Sequence, residues 1–150
     1  MATSSQTELF DEIAAEAAAE SELWREALRG DPERVPVFSP LVDPELALGV
    51  ETIYEAYLVH YGRPRLFDAP DRDTAILLGD YLYAHGLVRI AQTGRVDAVA
   101  ELAELISRCA SLRVDNAPGD GDAWLAAARR LGPREGDAAR ALRLHAERFG

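Results

Sequence analysis

Lysine is absent from this chain: all 16 basic residues are arginine. The codon bias of a GC-rich genome accounts for that pattern, and no function follows from it. Cysteine is reduced to one residue, Cys109. That excludes a disulfide framework within the chain, and Cys109 reads as a small core residue in a reducing cytosol. Aromatic residues make up only 7% and β-branched residues are sparse, while alanine and leucine dominate. Strand is therefore disfavoured and helix favoured. No apolar run reaches the length of a membrane span. The N-terminus lacks a basic region followed by an apolar core, so no signal peptide is expected and the expected location is cytoplasmic. There is no Ser/His/Asp set, no phosphate-binding glycine loop and no zinc pattern.

At 150 residues the expectation is one helical domain with a real core, residues 1–6 being disordered. The net charge of −10 lies wholly in the first 75 residues, which hold 16 acids against 6 arginines. Such an acidic half argues against nucleic acid or an anionic membrane as partner.

The sequence predicts five or six helices and an all-α bundle. The first runs from about Thr7 to Arg29, with Ser5 and Glu8 at capping-box spacing. Prolines 32, 36 and 40 mark a loop. Asp43-Pro44-Glu45 starts the second helix, which ends at Gly62. Asp73 is the expected cap of the third, Thr74 to Thr93. Residues 75–91 are apolar on nearly all sides, which predicts the central buried helix. Further helices are expected over 96–113, 122–131 and 135–149. Asp120-Gly121-Asp122 superficially matches a calcium loop but lacks its terminal Glu, and reads as a turn before a helix cap.

The run Leu77-Leu78-Gly79-Asp80-Tyr81-Leu82 resembles the mid-chain helix of the trans-isoprenyl diphosphate synthases, the polyprenyl synthetase family. The flanking pieces fall in the matching order. Ala56-Tyr57-Leu58-Val59-His60 stands where the family has its Leu-(Val/Leu)-His-Asp-Asp segment, and Gly62-Arg63-Pro64-Arg65 stands where it has Gly-Arg-Pro-Thr. The similarity spans about residues 44–112. It implies a truncated isoprenoid-synthase fold. The aspartate-rich insert between His60 and Gly62, which in the family holds magnesium and diphosphate, has no counterpart, and the second such motif is missing too. No catalytic residue and no metal ligand is therefore carried over, and no cofactor is expected.

The resemblance thus implies a protein inactive by itself. The expected role is the small or regulatory subunit of a heteromeric polyprenyl diphosphate synthase, with a catalytic synthase subunit or a second copy of itself as partner. Tyr54, Tyr57, Tyr61, Tyr81 and Tyr83 are the candidate contacts to such a partner or to a lipid. Asp80, His60 and Arg63 are the candidate remnant of a polar pocket. Structural roles compete for all of these: aromatic residues at helical spacing are commonly core, and a buried Asp80 needs a partner such as arginine. Two further readings stay open. One is a self-associating module that holds an isoprenoid or other lipid. The other is a divergent magnesium-dependent prenyltransferase using Glu51, Glu55, Asp71 and Asp73.

Overall fold

A computed structural model describes residues 2–133 and 135–150, with the backbone alone for residues 2–6. Among the described residues there are seven α-helices and no β-strand. They are α1 (Ala2–Glu20), α2 (Glu22–Glu26), α3 (Ala47–Tyr61), α4 (Arg72–Gln92), α5 (Val96–Val114), α6 (Asp120–Arg130) and α7 (Ala138–Glu147). The all-α expectation holds.

The long first helix predicted over 7–29 is two helices. Ser21 breaks it by taking extended backbone and accepting a hydrogen bond from the Leu23 amide, 3.1 Å. Serine offers the backbone this alternative to helix continuation, and the cap wins. Pro44 does begin a helical segment, but its first turn is 3-10 (Pro44–Leu46) before α3 proper. At α4 the cap is Asp71 rather than Asp73: the Asp71 carboxylate accepts from the Thr74 amide at 2.8 Å.

The larger correction concerns which helix is central. Every residue of α3 from Gly49 to Val59 is buried, so α3 is the core helix. α4 lies antiparallel beside it and covers only one of its flanks, leaving Ile76, Leu77 and Val88 exposed. The two helices meet through glycines. A Cβ at Gly86 would stand 2.5 Å from Ile53 Cγ1, and one at Gly79 would run into the His60 ring. Only a residue without a side chain permits that approach.

α3 separates two apolar clusters. On one side Phe10, Ile13 and Ala17 of α1 and Trp24 of α2 pack with Leu66, Phe67, Leu78 and Leu82. On the other, α5, α6 and α7 pack with Val37, Phe38 and Leu41 around Tyr54, Tyr57 and Trp124. Two loops run side by side between these layers. Asp68 N donates to Ala27 O (2.7 Å), Arg29 N to Leu66 O (2.9 Å) and Glu33 N to Arg65 O (2.9 Å). No helix among the described residues is long and apolar enough to cross a membrane.

Candidate functional site

Two polar networks flank α3, and they account for most of its carboxylate and hydroxyl groups. The first surrounds Arg65, whose side chain is 0% exposed, as are those of Glu51 and Glu55. Arg65 Nη1 donates to Glu51 Oε1 at 2.6 Å, and Nε donates to Glu55 Oε1 at 3.0 Å. The amides of Arg65 and Leu66 also donate to Glu55, and the Val37 amide donates to Glu51. The guanidinium carbon lies 4.8 Å from the Phe10 ring centroid and 5.0 Å from that of Tyr54. Burial works against the charge on Arg65, but the two carboxylates outweigh it and raise its pKa. The spacing that put Glu51 and Glu55 one turn apart thus serves an internal cation. The prolines of the 31–42 segment keep it out of α-helix, leaving one 3-10 turn at Ser39–Leu41, and its buried amide at Val37 finds its acceptor here.

The second network joins four helices. Asp120, the first residue of α6, receives Tyr57 Oη at 2.7 Å, Arg113 Nη2 at 2.6 Å and His145 Nε2 at 3.1 Å, all on Oδ2. His145 Nδ1 lies 2.7 Å from Tyr54 Oη. With Asp120 ionised, both contacts are satisfied by one tautomer: Nε2–H donates to the carboxylate and Nδ1 accepts from the tyrosine. Burial pulls the Asp120 carboxyl up. The hydrogen bonds from His145 and Tyr57 and the charge on Arg113 outweigh it and hold the carboxyl well below the usual range. Burial raises both tyrosines and pushes the nearby Cys109 thiol up to about 11. The Phe149 ring centroid lies 4.2 Å from the Arg113 guanidinium carbon. A surface hollow of about 350 Å³ opens beside the network, lined by Arg113, Asp120, Leu142, His145 and Phe149 among others. The Tyr54 end of the relay is wholly buried, so the chain of hydrogen bonds links helices and offers no reactive hydroxyl to solvent.

The five candidate tyrosines do not share one surface. Tyr54 and Tyr57 lie inside the bundle against Trp124 and His145, out of reach of a partner in this packing. Tyr83 is half-buried over the His60 ring, and Tyr81 stacks on Trp24. Tyr61 is exposed at the end of α3. Asp80, expected inside a buried helix, is 65% exposed, because α4 turns that side outward. It stands 3.5 Å from His60, whose Nε2 also lies 3.1 Å from Ile76 O. Arg63 is elsewhere: its Nη2 donates to Glu147 O and ties the 62–71 loop to the end of α7. Asp80 and His60 thus stand together, while Arg63 is engaged with the end of α7.

No family model, no curated protein and no solved structure matches this chain. Among the described residues no group of three or more His, Cys, Asp or Glu side chains could hold a metal ion. Glu51, Glu55, Asp71 and Asp73 are accordingly not assembled into such a group, with Glu51 and Glu55 closed on Arg65 and Asp71 capping α4. The residues that sequence reasoning passed over are Arg113, His145 and the pair Glu33 and Arg148, in which Arg148 Nη1 donates to Glu33 Oε1 at 3.0 Å. The signal for His145 was available: it lies four residues after Ala141, on the buried face of α7, where a histidine needs partners.

Proposed function

We propose that this protein is a non-catalytic, polyprenyl-synthetase-like helical subunit that modulates a catalytic prenyl diphosphate synthase. One observation carries the reading. The segment that resembles the family forms a glycine-packed pair, α3 against α4, while the acids of α3 are closed on Arg65. The two helices that carry the resemblance pack against each other, and the carboxylates nearest to a metal role are held by an internal arginine. Magnesium-assisted ionisation of an allylic diphosphate needs carboxylates open to solvent and metal. Glu51 and Glu55 are neither, so the activity falls to a partner. Tyr54, Tyr57, Phe38 and Trp124 pack ring against ring in the interior, which leaves that space to side chains rather than to a prenyl chain.

The test is prenyl transfer from labelled isopentenyl diphosphate to an allylic diphosphate with magnesium, run with this protein alone and with a catalytic synthase from the same source. The expected result is no product alone and a changed rate or product length in the mixture. Turnover by the isolated protein would overturn the reading, as would a mixture identical to the synthase alone.

A further inference from the structure

α1 spans 19 residues but meets the rest of the molecule along a narrow strip. Of its described side chains, Phe10, Ile13 and Ala17 are buried, at steps of three and four, while Glu8, Asp11, Glu12 and Glu20 face solvent. Ion pairs flank the strip on both sides. Arg34 Nε holds Asp11 Oδ1 at 2.8 Å, and Arg89 of α4 holds Glu12 at 3.2 Å and Glu16 beside it. At its far end α1 leads into α2 through Ser21, whose backbone is already extended, φ −155° and ψ 141°.

We propose that α1 is a strap: it lifts as a unit about Ser21 while the rest of the chain stays folded. Segments open separately where they contribute few buried apolar contacts. Lifting α1 gives up two large apolar side chains and one alanine. The cluster around Tyr54 and Trp124 draws every member from Val37 onward and loses none. The Arg65 network survives as well, because its hydrogen bonds run to Glu51, Glu55 and Val35 and none reaches α1. Opening even returns something to this network. Phe10 is one of the two rings that close over the Arg65 guanidinium, and Arg65 Nη2 is buried without a hydrogen-bond partner. A buried donor left unpaired is costly, and removing Phe10 opens one side of the guanidinium to water. The lifted strap uncovers Arg65 and the apolar side chains that pack with Phe10 and Ile13, among them Leu66, Phe67, Leu78 and Leu82. The ion pairs at the edges are the clasps. This inference rests on the packing of α1 and is independent of the proposed function.

Native-state hydrogen exchange on the full chain, read amide by amide at neutral pH and in low urea, tests this. The α1 amides are expected to be less protected than those of α3 and to respond less to urea, because a strap exposes less surface than global unfolding does. Two variants separate the openings. Leu102→Ala hollows the cluster that α1 does not touch, where Leu102 is 1% exposed. It should lower the protection of α3 at least about thirtyfold and leave that of α1 unchanged. Arg89→Gln undoes one clasp and should lower the protection of α1 about fivefold. In the parent protein, α1 and α3 amides that share one protection and one urea slope would overturn the inference without recourse to any variant. So would an α1 whose protection falls with Leu102→Ala, or one that Arg89→Gln leaves unchanged.

Discussion

Tyr54 and His145 are 91 residues apart in the chain, and 2.7 Å separates the tyrosine hydroxyl from Nδ1 of the imidazole. Through this contact the last helix is fastened to the core helix, and through Nε2 the same ring is fastened to Asp120. His145→Ala removes both contacts, leaves a buried tyrosine hydroxyl without a partner and opens space beside Phe38. The expected loss is about 2–4 kcal/mol of unfolding free energy. Urea denaturation measures it, and hydrogen exchange should localise the loosened amides to α7.

The Arg65 network yields a sharper contrast. Arg65→Met leaves Glu51 and Glu55 facing each other with no cation in a dry interior, and the expected penalty is about 3–5 kcal/mol. Adding Glu51→Gln and Glu55→Gln to that variant removes the stranded charges, so the triple variant should regain part of the loss. A triple variant less stable than Arg65→Met would show that the carboxylates act mainly through the Val37 and Leu66 amides.

Much of this fold was legible locally. Alanine-rich periodic runs, the Asp43-Pro44 start and the stop at Gly62 are signals that a helix carries within itself. What was not legible depends on partners distant in sequence. An apolar surround on residues 75–91 is equally consistent with a central helix and with a flanking one whose outer face lacks a partner, and the structure places α3, not α4, at the centre. The exposure of Asp80 follows from that same choice. Its test is simple: Asp80→Asn should change unfolding free energy by no more than about 0.5 kcal/mol. The Asp120 network was illegible for a related reason, because Tyr57, Arg113, Asp120 and His145 come from four helices and share no local motif.

Asp120 also sets an expectation for acid stability. Its carboxyl titrates below the usual value in the folded protein, and near about 4 when unfolded. A depressed folded value means the unfolded chain takes up the proton first, so stability from this group is present above about pH 4 and lost as the pH falls below it. Glu33, lowered by its hydrogen bond to Arg148, acts in the same direction. Unfolding free energy measured from neutral pH downward should therefore fall most steeply below about pH 4. Asp120→Asn should be less stable at neutral pH and show a shallower acid limb. An unchanged limb would remove Asp120 as its source.

The α3–α4 crossing allows the most direct check on the scaffold that the proposed function requires. Gly86 faces Ile53 Cγ1 and the backbone of Gly49, and Gly49 in turn meets the Ile90 side chain, so the helices touch backbone to backbone at this point. Alanine normally stabilises a helix interior relative to glycine, by up to about 1 kcal/mol. Here the added methyl must push α4 away from α3 or force Ile53 out of its rotamer, and overpacking of that kind costs about 1–3 kcal/mol. Steric cost should exceed the helix gain, so Gly86→Ala is expected to lower the melting temperature by a few degrees. Ile53→Ala, which removes the Cγ1 that the new methyl would strike, should couple to Gly86→Ala, so that the double variant loses less than the sum of the two single losses. A Gly86→Ala protein that melts higher than the parent would mean that the helices do not meet as closely as the glycines allow.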